Sequence, residues 1–267
     1  MSLRNAVRAA PTLLRIGFAE AIAYRAEMLV WVLSTTMPLI MLAFWSAVSR
    51  EQPIFGFGQA QFTAYFLATF IVRQLTGSWA AWEINFEVRQ GTMAMRLLRP
   101  IHPAFHYAAE NLAAVPMRVI VALPVAVIAL ALVGSSQLPR DPVIWIAWSL
   151  SMLGGWSLTF LSNLVIGALA FLIDSSMKVM DAWTAMVFVF SGYLIPIQLF
   201  PPGLRTVAAW LPFRYQIGFP VELMTSAHPR AEALELLARQ WGFVLLLLVL
   251  CQITWKQGLK RYAAFGG

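Results

Sequence analysis

The sequence predicts an all-α integral membrane protein with about six transmembrane helices, an N-terminal interfacial helix, and short helices that dip into the membrane or lie on it before the last span. Of its 267 residues, 60% are hydrophobic and only 12% are charged, whereas a typical soluble domain has about 25% charged residues. The apolar residues also cluster in several runs that reach the ~20 residues needed to cross a hydrocarbon core of ~30 Å. Composition and clustering together indicate that lipid is the solvent of this chain.

Six apolar segments form the predicted spans. They cover residues 28–48, 62–82, 112–133, 143–173, 182–196 and 240–255. Pro38 lies inside the first span and predicts a kink there. The fourth span is longer than one straight crossing needs, so tilt or a break at Gly154 and Gly155 is expected. The fifth is short for a crossing, and the six together define a transmembrane domain from residue 28 to residue 267.

Residues 1–27 are predicted to form an amphipathic segment on the membrane surface. Charged residues such as Arg15, Glu20 and Arg25 interrupt it, so it lacks the continuous apolar region of a cleavable signal peptide. Its charged side chains are expected to face lipid headgroups while its apolar ones face lipid. The predicted lipid-facing side chains are Leu13, Leu14, Ile16, Phe18 and Ile22.

The stretch between the fifth and sixth spans, from Gly203 to Met224, is apolar but interrupted by prolines and by charges such as Arg214 and Glu222. It is too interrupted to cross a membrane and too apolar for an ordinary loop. We predict short helices that dip into the membrane or lie on it. Non-helical backbone at that depth must be covered by protein, because unpaired backbone groups are costly in lipid.

The distribution of basic residues predicts that both termini are cytoplasmic. The formal charge of +7 is spread along the flanks of apolar spans, which is the pattern of the positive-inside rule rather than of a nucleic-acid binder. The inner side then carries Arg4, Arg8, Arg15, Arg25, Arg89, Arg96, Arg99, Lys178, Lys256, Lys260 and Arg261. The outer side carries fewer, namely Arg50, Arg140, Arg205, Arg214, Arg230 and Arg239. Four of these outer residues lie in one long loop, where the rule counts weakly.

Motifs for chemistry are absent from the sequence. The phosphate-binding pattern G-x-x-x-x-G-K-[ST] does not occur, nor do G-x-S-x-G or H-E-x-x-H. We therefore predict no catalytic residues, and any energy source must come from another chain. His102, His106 and Glu110 have a spacing that can bind a metal on one helix face. Pro103 indicates instead that a helix begins after His102, so no metal site is predicted. The lone Cys251 excludes an intramolecular disulfide.

Two polar residues inside the predicted spans are candidates for a pathway or an interface. Arg73 lies near the middle of the second span, where a charge usually faces a bundle interior or a polar cavity. The alternative is an arginine that snorkels to the headgroups. Asn163 in the fourth span is either a pathway residue or a polar contact between helices. All twelve Asp and Glu residues fall outside or at the margins of the spans, which argues against a proton-driven mechanism.

The inner loop from Glu83 to Pro103 contains the longest strongly polar stretch, which runs from Glu83 to Arg99. Gly91 and Pro100 bound a short helical segment, in which Met93 and Leu97 share one face at i,i+4 spacing. This segment is either a connector that lies on the membrane surface or a docking helix for a cytosolic partner.

Two motifs resemble those of the ABC-2-type exporter permeases. The inner "RQGTMAMRLLRP" looks like the G-x-[LM]…L-L-R-P loop of that family. The segment from Phe190 to Leu223 resembles the family signature, with a small-residue turn, a Pro-hydrophobic step, "FP", a short helix, "LP", an aromatic residue and a final "P-x-E-L". The layout of six spans agrees, so the resemblance covers nearly the whole chain.

The resemblance implies a permease that moves substrate outward by alternating access, in the cytoplasmic (inner) membrane. A separate cytosolic ATPase would bind ATP and Mg, and this chain would need no cofactor of its own. A second permease chain, the same or related, would complete a dimer. The residues implied for coupling to the ATPase are Arg89, Gly91, Met93, Met95, Arg96, Leu97, Leu98 and Arg99. Those implied for the outer gate and re-entrant hairpin are Tyr193, Pro196, Phe200, Pro201, Pro202 and Pro212.

Three alternatives stay open at this point. A secondary transporter or channel would work without an ATPase and would survive loss of the inner loop. A membrane enzyme would have to use His102, His106 and Glu110, and a membrane anchor would transport nothing. The apolar spans favour lipidic, hydrophobic or cationic amphiphilic cargo over small anions. The substrate, the direction of transport beyond the resemblance, the choice between homodimer and heterodimer and the role of Arg73 are left undetermined.

Overall fold

The computed structural model describes residues 3–26, 30, 35–133, 138–225 and 228–262, and this part of the chain is all-α, with one isolated β-bridge between Ile54 and Phe57. In chain order the α-helices are α1 (Leu3–Ala23), α2 (Met37–Val48), α3 (Gln59–Thr76), α4 (Ala80–Gln90), α5 (Met93–Leu97), α6 (Pro103–Ala113), α7 (Val115–Val133), α8 (Pro142–Ala168), α9 (Ser176–Phe190), α10 (Pro202–Ala209), α11 (Gly218–Thr225) and α12 (Arg230–Arg261). Short 3₁₀ turns follow α8 and precede α10.

Among the described residues, three stretches are long and apolar enough to cross a membrane. They are Pro103–Leu132, Pro142–Phe171 and Arg230–Arg261. Each has at least 30 residues, about 45 Å of helix at a rise of 1.5 Å per residue, which exceeds the ~30 Å hydrocarbon core. The chain is therefore a membrane protein.

Helix α8 forms the centre of the bundle, and α12 packs along it. The predicted break at Gly154 and Gly155 does not occur, because α8 continues through both residues. A Cβ on Gly154 would lie 2.7 Å from the side chain of Gln240, and one on Gly155 would lie 2.8 Å from the carbonyl oxygen of Gln216. The two glycines thus serve close approach between helices, as small residues commonly do in membranes.

The first predicted span differs from the observed helix. Helix α2 begins at Met37, and Pro38 stands in its first turn, where proline is tolerated because no N–H is needed there. Pro38 therefore marks a helix start rather than a kink within the helix. Residues 28, 29 and 31–34 of this predicted span lie outside the described residues.

The second predicted span, 62–82, is divided between two helices. Helix α3 ends at Thr76 and α4 begins at Ala80. Two buried asparagines stabilise the start of α4. The side-chain oxygen of Asn111 accepts a hydrogen bond from the backbone N–H of Trp79, and that of Asn163 accepts one from the backbone N–H of Ala81. These contacts come from distant helices, so the apolar pattern of the span did not reveal the break.

The later helices also begin earlier than the apolar windows. Helix α9 starts at Ser176, six residues before the predicted fifth span, and ends at Phe190. Lys178 and Asp181 lie on its exposed surface, so charge at these positions does not prevent helix formation. Helix α12 extends beyond both ends of the predicted span 240–255 for the same reason: its polar ends remain helical.

The N-terminal segment forms a helix, α1, which packs against α6. Gly17 is buried there, and a Cβ at this position would lie 2.9 Å from Ala113. Leu14, Ile16 and Phe18 are exposed, as is Ile22, whereas Leu13 is half-buried. The helix therefore keeps an apolar face free, as an interfacial helix requires.

Candidate functional site

The inner loop reverses the chain between α4 and the five-residue helix α5. Gly91 adopts a left-handed conformation with φ of +74°, which a residue with a side chain rarely adopts. The Tyr262 hydroxyl donates a hydrogen bond of 3.2 Å to the carbonyl of Gly91. Met93 is fully buried beneath the loop. These contacts hold α5 against the body of the protein.

Arg96 on α5 is the centre of a charged cluster, hereafter the Arg96 cluster. Its guanidinium contacts Glu87 at 2.6 Å, Glu83 at 3.0 Å and Glu110 at 3.1 Å. It also lies 4.4 Å from the centre of the Tyr107 ring, and the Tyr107 hydroxyl donates to Glu87 at 2.5 Å. Glu83 and Glu87 belong to α4, and Tyr107 and Glu110 to α6. One guanidinium therefore ties three helices together.

The cluster holds three carboxyl groups around one cation. Burial and then repulsion from Glu110 raise the pKa of Glu83 from its ordinary value of 4.5 to about 8, despite the opposing effect of Arg96. Burial alone would lower the pKa of Arg96, but Glu110 and Glu87 outweigh it, so the guanidinium stays charged. Glu83 therefore keeps its proton at neutral pH, which reduces the repulsion among the three carboxyl groups.

We expect the thermal stability of the purified protein to fall as the pH rises from about 5 to about 8. The folded Glu83 keeps its proton up to about pH 8, whereas the unfolded chain loses it near pH 4.5, so rising pH favours the unfolded state. Glu83→Gln should make the dependence shallower, and the matched change at exposed Glu51, Glu51→Gln, should leave it unchanged. The measurement is the unfolding midpoint against pH in detergent. Equal slopes for wild type and Glu83→Gln would contradict this role of Glu83.

The predicted coupling residues fall into three environments. Met93 and Leu97 pack inward, and Arg96 is held in its cluster. Met95 and Leu98 face outward, with 69% and 80% of their surfaces exposed. Arg99 is also exposed, and Arg89 pairs with Asp174 at 2.7 Å, next to the start of α9. The tip of the loop therefore presents two large apolar side chains on a fixed support.

The outer segment, residues 191–225, contains the short helices α10 and α11 and the turns around them. Its base is anchored by Tyr65, whose hydroxyl donates to the carbonyl of Gly192 at 2.8 Å. Gln240 fixes its other end by donating to the carbonyls of Tyr215 at 2.8 Å and Ser151 at 2.9 Å. The predicted short helices are thus present and are tied to α3, α8 and α12.

A buried ion pair lies inside the outer segment. Arg214 contacts Glu222 at 2.6 Å, and the Glu222 side chain is 0% exposed. His228 lies 3.9 Å from the same carboxylate and 3.4 Å from Glu232. The sequence pattern placed Glu222 in the stretch between two predicted spans, whereas its side chain is completely buried in the structure. An acidic residue is therefore buried within this chain, with Arg214 as its partner.

Replacing Glu222 by Gln is expected to lower the free energy of unfolding by about 3 kcal/mol, because it leaves the largely buried Arg214 without a counter-charge. Loss of the exposed pair between Glu235 and Arg239 through Glu235→Gln should cost less than about 0.5 kcal/mol. The double change Arg214→Met with Glu222→Leu should recover much of the loss, because both charges are removed. Thermal unfolding in detergent measures all three, and a Glu222→Gln protein as stable as the Glu235→Gln control would refute the importance of the pair.

The predicted gate residues are divided between two cavities and the surface. Phe200 and Pro201 line an apolar cavity of about 340 Å³, together with Trp45 of α2. Pro196 is buried, and Pro202 is exposed at the start of α10. The carbonyl oxygen of Pro212 accepts a hydrogen bond of 3.2 Å from the backbone N–H of Tyr215, in the turn before α11. Tyr193 lines a different, polar cavity.

Arg73 and Asn163 meet in that polar cavity, hereafter the Arg73 cavity. It has a volume of about 60 Å³ and lies between α3, α8, α9 and the outer segment. Arg73 and Tyr193 both line it. Asn163 donates to the carbonyl of Thr159 at 2.9 Å besides capping α4, so much of its role is structural.

Several residues of these sites were missed by sequence reasoning. Gln216 lines the Arg73 cavity from the outer segment, and Trp183 and Thr184 line it from α9. No local pattern identifies them, because they come from separate segments. The acidic partners of Arg96 carried a usable signal: Glu83 and Glu87 are four residues apart, so they share one helix face.

Helix α6 begins at Pro103, as the sequence predicted. His102 lies outside α6 and caps its start, its Nδ1 accepting the N–H of Ala104 at 3.2 Å. His106 is buried on α6. Among the described residues, no group of three His, Cys, Asp or Glu side chains can hold a metal ion.

Most of the chain matches a known protein family. Residues 32–266 match the family described as ABC-2 family transporter protein. The matched region includes the inner loop, the Arg73 cavity and the outer segment. No curated protein matches the chain significantly.

Proposed function

Because this chain belongs to the ABC-2 family of transporter proteins, we propose that it is the membrane-spanning permease subunit of an exporter driven by a separate cytosolic ATPase. Members of this family are typically non-enzymatic membrane components that work with an ATP-binding component. In the proposed mechanism the ATPase closes on ATP and the permease switches to an outward-open state. Hydrolysis then resets the permease, so that substrate moves outward by alternating access.

The observation that carries this proposal is the exposed apolar tip of the inner loop. Met95 and Leu98 are large, exposed and adjacent on the surface of a polar loop. Exposed apolar groups on a rigid support are typical of contact surfaces for a partner protein. We assign these two side chains to the groove of the ATPase, in the manner of a helix bound in a groove. Arg99 lies beside them for contact with acidic groups.

The other coupling residues are proposed to transmit the motion. The Arg96 cluster joins α5 to α4 and α6, and α4 packs against α8 at the centre of the bundle. A push on α5 then moves these helices together rather than bending the loop. Tightly packed helices change between discrete arrangements. Gly91 supplies the reversal, and Arg89 links the loop to the segment before α9 through Asp174.

The outer segment is proposed to form the re-entrant hairpin that closes the exit. It carries Tyr193, Pro196, Phe200, Pro201, Pro202 and Pro212, the predicted gate residues. Its two ends are tied to α3 and α12 by Tyr65 and Gln240. Movement of those helices is therefore transmitted to it. The chain is proposed to span the cytoplasmic membrane about six times, with both termini inside, and to pair with a second permease chain.

The proposal is tested by purifying the chain together with the ATPase encoded by a neighbouring gene. The complex is placed in lipid vesicles, where ATP turnover and substrate movement are measured. Association with ATP turnover that depends on the permease supports the exporter. Transport by the chain alone, with no ATPase bound, would instead establish the secondary transporter or channel.

A further inference from the structure

Arg73 brings a positive charge to the Arg73 cavity. Arg73 lines it, and none of the other lining residues is an aspartate or glutamate. Among the described residues, no carboxylate lies within salt-bridge distance of Arg73. A charge enclosed within a membrane domain normally has a partner or serves a function. The polar lining residues around Arg73 include the neutral side chains of Tyr193, Thr184 and Gln216.

A second arginine strengthens the positive field. Arg118 of α7 is 8% exposed and donates to the carbonyls of Gly77 at 2.9 Å and Gln74 at 3.4 Å. Its guanidinium lies over the Trp79 ring, and the described part of the chain places no acid beside it. A Cβ on Gly77 would meet Arg73 at 3.0 Å and Arg118 at 3.3 Å, so the two guanidinium groups are neighbours. Arg118 donates its hydrogen bonds to carbonyl groups at the end of α3, so Arg73 is the arginine that lines the cavity.

Another residue that lines the same cavity has a buried donor without an acceptor among the described residues. Gln216 is 2% exposed, and its Nε2 donates no hydrogen bond. A buried amide N–H₂ without an acceptor costs about 1–3 kcal/mol, so an acceptor is expected there. Arg73 and Gln216 thus both line one cavity with side chains that carry N–H donors, which is the chemistry of a site for an oxyanion.

We propose that the Arg73 cavity binds the anionic group, a carboxylate or phosphate, of the transported substrate, with Arg73 and Gln216 as its donors. Assigning the ligand as cargo rests on the proposed transport function. A volume of about 60 Å³ holds only a few atoms, since one water needs roughly 10–15 Å³. Val187 and Phe188 of α9 form an apolar wall of the cavity, along which an alkyl chain can leave. The preferred ligand is therefore an anionic amphiphile, which agrees with the lipidic cargo that the apolar spans favoured but not with the cationic amphiphile.

The test measures ligand binding to the full chain alone, in dodecyl maltoside, through the increase in the unfolding midpoint with ligand mole fraction. The probes are dodecyl phosphate, dodecyl trimethylammonium and inorganic phosphate. We expect dodecyl phosphate to stabilise the wild type and dodecyl trimethylammonium not to. Arg73→Gln should weaken dodecyl phosphate binding about tenfold or more, the usual effect of losing a charge-assisted hydrogen bond. Arg50→Gln, the same change at an exposed site, should bind like the wild type.

Gln216→Glu provides an isosteric second variant if Arg73→Gln does not fold. It places a carboxylate in the cavity, where it competes with the ligand for Arg73, so dodecyl phosphate binding should be lost. Inorganic phosphate that binds as tightly as dodecyl phosphate would identify a free anion as the ligand, and binding of dodecyl phosphate alone would identify an amphiphile. Equal stabilisation by the anionic and cationic detergents, or unchanged binding in both variants, would overturn the site. No ATPase is present, so this outcome is independent of whether the chain couples to one.

Discussion

Replacing Leu98 by Asp is expected to reduce permease-dependent ATP turnover and ATPase association by about 30-fold. Leu98 is 80% exposed, so the change removes almost no internal packing and the chain should fold normally. In the complex it places a charge in an apolar contact, and loss of such a central contact typically costs about 2 kcal/mol or more. Met95→Asp should act in the same way. The measurement is ATP turnover of the complex in lipid, together with co-purification of the two subunits.

Gln257→Asp is the matched control for this prediction. Gln257 is exposed near the end of α12 and lies on the predicted inner side, so the control adds the same charge away from the loop. It should leave turnover and association intact. Unfolding midpoints of Leu98→Asp and Gln257→Asp should agree with the wild type. A Leu98→Asp complex that hydrolyses ATP normally would remove this side chain from the proposed contact.

Replacing Arg96 by Gln is expected to destabilise the protein by about 3–5 kcal/mol at pH 8, a typical cost of breaking a buried ion pair. Glu83, Glu87 and Glu110 are all largely buried, so the variant leaves three carboxyl groups without a cation. The loss should shrink toward pH 5, where Glu83 is protonated and no longer repels the other two carboxyl groups. Thermal unfolding in detergent at both pH values measures the effect, which corresponds to roughly 10 °C at pH 8.

Arg99→Gln tests whether the effect belongs to the cluster rather than to loss of any basic residue in the loop. Arg99 is exposed, and the described residues offer it no ion pair, so its removal should change stability by less than about 0.5 kcal/mol. A destabilisation of Arg96→Gln that is small or independent of pH would mean that the cluster does not hold α5.

The helical membrane fold followed from features that the sequence displays directly. Lack of charge and long apolar runs identify helices such as α8 and α12 without reference to the rest of the chain. The predicted helix ends were less accurate, because a helix can continue through exposed charges, as α9 does through Lys178. The break between α3 and α4 was missed because Asn111 and Asn163 stabilise it from other helices. Tertiary contacts of this kind leave no local pattern.

The candidate sites were likewise predictable from the sequence only where a local pattern marks them. The inner loop could be located from Gly91 and Pro100, which bound α5. The different roles of Leu97 and Leu98 could not be predicted, because they depend on which side chain the neighbouring helices cover. Arg73 was recognised as unusual from its position in an apolar run. Its pairing with Gln216 in one cavity required the fold, since the two residues are far apart in the chain.

The most direct test of the central claim is photo-crosslinking from the inner loop. A benzoylphenylalanine residue is introduced at position 98 and, as control, at position 257, and the complex with its ATPase is irradiated in lipid. We predict that position 98 forms a covalent product with the ATPase and that position 257 does not. An active, ATP-hydrolysing complex without a crosslink from position 98 would contradict the claim that this loop couples the permease to its ATPase.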